Sequence, residues 1–372
     1  MRRRHWLACS LLAAALPAAR PAPADDEPVR RGRALQFPRD HGAHLGAAIE
    51  WWYLTGELHG AGDAHFGFQI TFFRSRTGLA EGLDSRFAPR HLLFAHAALS
   101  ELRTRRHRHA QRIARWSGDE AATAARASRH DTDLRLGDWT LRRSGERGLS
   151  RYQTRFGSGG AAGGFELQLE LHATQPPLLQ GDAGFSRKGP EEAQASHYLS
   201  EPQLQARGAL ERGGERFGVT GRAWLDHEWS DTLMHPEAVG WDWIGMNLDD
   251  GAALTAFRLR RADGSSLWAG GSHRSAGGVL QVFAPDSVRF TPGRLWTSPS
   301  SGARYALQWQ VDTPAGRFEV EALLDAQELD SRAGTGTVYW EGLAELRTAP
   351  QRRVGSGYLE MTGYAGRLRL GQ

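Results

Sequence analysis

Gly221-Arg222-Ala223-Trp224-Leu225-Asp226-His227-Glu228-Trp229 is the stretch on which the reading of the fold turns. Taken at the two-residue period of a strand, it sends Trp224, Asp226 and Glu228 to one face and Ala223, Leu225, His227 and Trp229 to the other. A second run follows, in which Trp241, Trp243 and Gly245 point one way and Asp242, Ile244, Met246 and Leu248 the other. Each face carries large rings beside ionisable groups. Such density is the material of a binding or catalytic site, and equally of a core whose few polar groups are satisfied.

Working outward, 45 glycines and 16 prolines in 372 residues, with short apolar runs and little helical period, predict an all-β protein. Its length predicts two domains. Residues 1–24 read as a signal peptide: Arg2-Arg3-Arg4, an apolar run from Trp6 to Leu16, then Ala22-Pro23-Ala24 as a small-x-small cleavage site. Export to the periplasm or beyond is the expectation. No stretch is long and apolar enough for a transmembrane helix. The single cysteine, Cys9, lies inside the targeting segment, so the mature chain has no disulfide. The net charge of +4 becomes zero once Arg2, Arg3, Arg4 and Arg20 are removed, which leaves no field to attract nucleic acid. Lys188 is the only lysine.

Residues 25–36 read as a charged tether with no core to join, and 37–230 and 231–372 as the two domains. In Phe37 to His44, the His41-x-x-His44 spacing sits beside Pro38 and Gly42, so a loop is expected rather than a metal-binding helix face. Ile49 to Gly56 is the first strand, and its alternation puts Glu50, Trp52 and Leu54 on one side. An inward Glu50 is either a proton donor with a raised pKa or one half of a salt bridge to Arg39 or Arg74. Strands are expected at Phe66–Arg74, Leu92–Leu99, Leu134–Leu141, Arg151–Phe156 and Phe165–Ala173, with a short helix in the Ala-rich residues 118–130. The basic run from Arg103 to Arg115 lacks interleaved aromatics and reads as a solvated face. Residues 175–202, which contain Tyr198, read as a long functional loop. Short strands recur to Arg369. Each half has enough of them to close a small barrel.

At Phe37-Pro38-Arg39-Asp40-His41-Gly42, Glu50-Trp51-Trp52-Tyr53-Leu54-Thr55-Gly56 and Gly67-Phe68-Gln69-Ile70-Thr71-Phe72-Phe73-Arg74 the chain resembles the AttH-like proteins. That superfamily includes the carotenoid 1,2-hydratases (CrtC, hydroxyneurosporene synthase) and many exported proteins labelled hydrolases. Later motifs agree, in order: Leu179-Gln180-Gly181, Trp224 to Ser230, Gly240-Trp241-Asp242-Trp243, Tyr339-Trp340-Glu341-Gly342 and Gly357 to Tyr364. The resemblance implies two lipocalin-like antiparallel β-barrels packed together. It also implies a His-x-Trp pair, here His227 and Trp229, acting with a downstream Tyr-x-Asp pair. The strand expected to hold the second pair, Leu254 to Leu259, has no carboxylate.

Hydration of an unactivated alkene begins with protonation of carbon, so the acid must be a carboxyl kept neutral by an apolar wall. Asp226, Glu228, Asp242 and Glu50 are the carboxyls on offer. His227 would orient water, and Trp51, Trp52, Trp224, Trp241, Trp243 and Tyr198 would line the ligand and face the developing cation. Strand alternation places Asp226 and Glu228 opposite His227, so without a bulge the three do not share a cavity or one metal ion. No Gly-x-Ser-x-Gly supports the hydrolase label, and no phosphate-cradling glycine motif opens a helix. No cofactor or metal is expected. The partner expected is an apolar, isoprenoid or lipid-like small molecule, which the protein either hydrates or merely shelters.

Overall fold

The computed structural model describes residues 28–368 apart from 84, 147–148, 160–162, 233, 333 and 349–351. The proposed signal peptide and Cys9 lie outside the described residues. Regular structure there consists of strands and two 3-10 turns, Arg39–His41 and Pro285–Ser287. The short helix expected in residues 118–130 does not form. Ala125–Ala127 is instead a strand paired with Asp133–Leu136, because alternate Ala side chains enter the barrel core, where tertiary packing overrides the helical preference of alanine.

The first sheet has thirteen strands, all drawn from Ile49 to Ser230. Its central pair is Ile49–His59 against Glu215–Ser230, with His65–Arg76 on one flank and Ala195–Arg212 on the other. The path runs on to Arg106–Trp116 at one end and Ala125–Ala127 at the other, and these ends approach each other, so the sheet curls into a nearly closed barrel. Its interior is filled by Leu54, Phe68, Ile70, Leu167, Leu225 and their neighbours.

The loop expected over 175–202 is shorter than that. From Ala195 the chain is already the long strand Ala195–Arg212, and Pro202 sits where the register shifts between Glu201 and Leu204. A bulge is where a sheet tolerates the missing N–H of proline. Residues 28–36 also differ from the expected tether. Leu35 packs with Ala47, Leu199 and Trp229, and Arg33 pairs with Asp40 at 2.8 Å, so this segment joins a small core of its own.

The second sheet has ten strands, centred on Gly240–Leu248 between Ala253–Arg260 and Arg352–Met361. Ile244, Met246, Trp309 and Trp340 lead its core. The outer faces of the two sheets meet through a third cluster that includes Tyr53, Trp224, Trp243, Phe257, Leu343 and Tyr358. Gly245 makes the approach possible: a Cβ there would fall 2.3 Å from the ring of Trp243 and 3.1 Å from that of Trp224. The protein is therefore all-β, with two antiparallel sheets packed face to face, one of them almost closed.

Candidate functional site

Between Ile49 and Ser230 the register of the central pair is unbroken, with Glu50 opposite Trp229, Trp52 opposite His227 and Leu54 opposite Leu225. Consecutive residues therefore part company. His227 enters the first barrel, whereas Asp226 and Glu228 face the second sheet.

On the barrel side, Glu50 is fully buried and surrounded by donors. Arg74 Nε lies 2.9 Å from its Oε2; His44 Nδ1 and His227 Nε2 lie 2.8 and 2.9 Å from its Oε1; and the His44 backbone N–H donates to both oxygens. The Arg74 charge and the two imidazoles outweigh burial and hold Glu50 well below the usual carboxylate range. As a neutral proton donor Glu50 fails, and the salt-bridge reading with Arg74 is what the structure contains. His44 reaches onward to Asp40 at 3.0 Å, and its ring stacks on Trp229 at 3.6 Å. His227 lies against Trp52, with ring centroids 4.6 Å apart. The loop histidines His41 and His44 are thus buried, and His44 bonds carboxylates.

His44, Glu50 and His227 present ligand atoms within 4.8 Å of one another. Arg74 already occupies the second oxygen of Glu50, and both imidazoles are hydrogen-bonded to the first, so the three ligand atoms that come together are already engaged with one another. Asp242 has a similar fate in the second sheet. Arg258 Nε lies 2.7 Å and Arg260 Nε 3.2 Å from its Oδ2, and the Tyr364 hydroxyl donates to Oδ1 at 2.8 Å. Offered by the sequence as a replacement acid, it is turned away from the space between the sheets.

That space holds a cavity of about 140 Å³. Trp51, Tyr53, Phe73 and Tyr198 wall it from the first sheet, and Trp241, Trp243, Phe257 and Tyr339 from the second. Trp224 lies behind this wall, edge-on to Trp243, and Trp52 is on the opposite face with His227. Four carboxyls enter the cavity: Asp226, Glu228, Glu341 and Glu360.

Asp226 accepts from Tyr198 at 2.8 Å, Ser200 at 2.5 Å and Trp224 at 2.7 Å. Burial outweighs these donors and pushes its carboxyl up to about 7. Glu341 and Glu360 are cross-strand partners. Glu341 is fully buried and Glu360 partly so, and desolvation raises both; the charge of Glu360 adds to the effect on Glu341. Two carboxyls so placed do not both ionise readily. Glu341 Oε1 and the Tyr53 hydroxyl are buried without a well-formed hydrogen bond, although the phenol is close enough to favour the carboxylate. The cavity also receives Lys188, whose ammonium lies 3.0 Å from Glu228 Oε1 and over the rings of Tyr198 and Phe257.

Among the sequence-predicted residues, the cavity therefore gathers Asp226, Trp51, Trp241, Trp243 and Tyr198 along its wall. His227, Trp229, Glu50, Trp52 and Asp242 lie elsewhere. Glu341 and Glu360 were missed, although the signal was present: Tyr339-x-Glu341 and Tyr358-x-Glu360 put tyrosine and acid on one face of facing strands. They supply the tyrosine-x-carboxyl spacing that Leu254 to Leu259 lacks.

A family model described as AttH-like matches residues 28–364. A crystal structure of a protein described as an AttH, from Nitrosomonas europaea, is 46% identical and aligns over 91% of this chain and 99% of its own, with a TM-score of 0.82. Kievitone hydratase from Nectria haematococca is 16% identical over 90% of this chain and 94% of its own, with a TM-score of 0.64, a likeness of fold. No curated protein sequence matches.

Proposed function

The chain belongs to the AttH-like family, and from that premise we propose that it is an exported hydratase that takes an apolar, isoprenoid-like ligand into the cavity between its sheets. The observation that carries this reading is the pairing of an aromatic wall with buried carboxyls whose pKa is raised. Such a carboxyl stays protonated near neutral pH, which is the state alkene protonation needs. The fold likeness to kievitone hydratase is compatible with this chemistry.

Glu341 is the proposed acid. Its Oε1 is a buried cavity oxygen without a well-formed hydrogen bond, whereas Asp226 is tied down by three donors. The Glu341 proton passes to one alkene carbon, forming a C–H bond and leaving a carboxylate, while the π electrons leave a cation on the neighbouring carbon. The faces of Trp51, Trp241 and Trp243 stabilise that charge through their quadrupoles. Water then adds to the cation and loses its proton, by way of the Glu228 carboxylate that faces Lys188, to the Glu341 carboxylate, which restores the acid, so the sum of the steps is addition of one water.

Incubating the mature protein with an acyclic carotene such as lycopene in ¹⁸O-water tests the reading, with labelled alcohol as the expected product. In Glu341→Gln the turnover falls at least about 100-fold, while the melting temperature stays level or rises because a buried ionisable group has gone. A carrier function would instead show ligand-dependent quenching of tryptophan fluorescence with no labelled product from either protein.

A further inference from the structure

Away from the cavity, the hairpin that joins the first two long strands carries a second cluster. Glu57 and His59 are two apart on the strand Ile49–His59 and share a face; His65 opens the strand His65–Arg76 directly across from His59. The turn thus folds Glu57-x-His59-x5-His65 into one constellation, with ligand atoms all within 4.8 Å of one another. His59 Nε2 is 3.4 Å and His65 Nε2 2.7 Å from the same oxygen, Glu57 Oε1, and the two imidazole rings stack at 4.5 Å.

Two features separate this arrangement from an ordinary surface ion pair. Although His65 Nε2 is buried and lies 2.7 Å from Glu57 Oε1, the contact is poorly aligned as a hydrogen bond, so the nitrogen is held beside the carboxylate without being well satisfied by it. The other oxygen of Glu57 is fixed from the second sheet, where the Ser356 hydroxyl donates to it and Arg353 lies 3.8 Å away. One oxygen is therefore held by neighbours, leaving Oε1 to face two imidazole nitrogens. This is the outer support that orients a metal-binding carboxylate. His59 is more than half exposed and borders an open cleft that also contains Arg222 and Glu345, so an ion and its remaining water have a route in.

We infer that Glu57, His59 and His65 form a surface site for a divalent transition ion of the zinc type, bound through one carboxylate oxygen and two imidazole nitrogens with an open fourth position. The ion would clamp the hairpin and, through Glu57 and Ser356, tie the two sheets together. The small opening needed between His65 and Glu57 is within the reach of a side chain at a strand end. This site is independent of the proposed hydratase chemistry.

The test uses the whole mature chain, free of any added histidine tag and stripped with a chelator. Co²⁺ is expected to bind at one equivalent with visible ligand-field absorption, and Zn²⁺ to displace it. Saturating Zn²⁺ is expected to raise the melting temperature by roughly 2–4 °C or more. His59→Ala, at an exposed position that the fold does not need, is expected to weaken binding by about tenfold or more and erase the thermal shift; Glu57→Gln provides a second reading. The assignment is overturned if the wild-type chain takes up no Co²⁺ saturably, or if His59→Ala and Glu57→Gln bind it as tightly as the parent, which would direct attention to His44, Glu50 and His227.

Discussion

Glu50 and Asp226 lie on strands that pair with each other, both fully buried, yet their chemistry is opposite. Glu50 faces the first barrel, where Arg74 and two imidazoles hold it ionised. Asp226 faces the space between sheets, where the groups that bond it are neutral donors and the cavity's lysine, Lys188, pairs with Glu228 instead, and its proton is retained to about pH 7. Burial raises the pKa in both places, so what differs is the presence of a cation at hydrogen-bond distance. The inner cluster is a closed network of ion pairs, and the outer one a set of carboxyls that desolvation keeps protonated.

Removing the cation should show the contrast at its largest. Arg74→Met leaves Glu50 charged and unpaired in the barrel, and also orphans the carbonyls of His44 and Ala47 that Arg74 Nη2 serves at 2.7 and 2.9 Å. Breaking one partner of such a pair costs about 3–5 kcal/mol, readable as a lowered urea midpoint. A double change, Arg74→Met with Glu50→Gln, should recover much of the loss. If the single variant unfolds like the parent, the inner cluster is not the structural element described.

The outer cluster is probed by pH. Because the folded pKa of Asp226 lies above its unfolded value, its contribution to stability is fully present below about pH 4 and is lost as pH rises towards 7. A shift from 3.8 to about 7 corresponds to at most roughly 4 kcal/mol across that window. Asp226→Asn removes the titration, so the variant should gain on the parent as pH rises from 4.5 to 7.5 in urea unfolding. Glu341 and Glu360 add slopes of the same sign to both proteins, so the difference between the two curves carries the result. Parallel curves would break the comparison.

The architecture was legible in the sequence because alternation is a local signal: the parting of Asp226 from His227 follows from strand period alone, as do the faces of Trp224 and Trp243. The central strands also began close to where the pattern put them. The cavity acids were harder to see. Glu341 and Glu360 are made important by each other, across a pairing that joins distant parts of the chain, and by a desolvation that exists only once two sheets meet. The role of Arg74 is of the same kind: the sequence offered it as one of two partners for Glu50, and only the packed barrel chooses it. The misread segments share one cause as well. Residues 118–130 and 175–202 have the composition of helix and loop, and both are decided by the strands they pair with, Asp133–Leu136 and Glu215–Ser230, once these sit in the sheet.

The smallest effect is the most pointed. If His227 belongs to the inner cluster, its loss is a matter of stability. His227→Ala takes one donor from Glu50 Oε1 and the ring that stacks on Trp52, while His44 and Arg74 remain on the carboxylate. The expected cost is about 1–3 kcal/mol, smaller than for Arg74→Met because no charge is left bare. Turnover of the folded fraction should persist, since the ring points into the barrel and the cavity carboxyls lie across the strand. His227→Gln, which can still donate to Glu50, should recover part of the stability. A variant that keeps its urea midpoint but loses turnover would place His227 in the chemistry and require the wall between the two faces to open during the reaction.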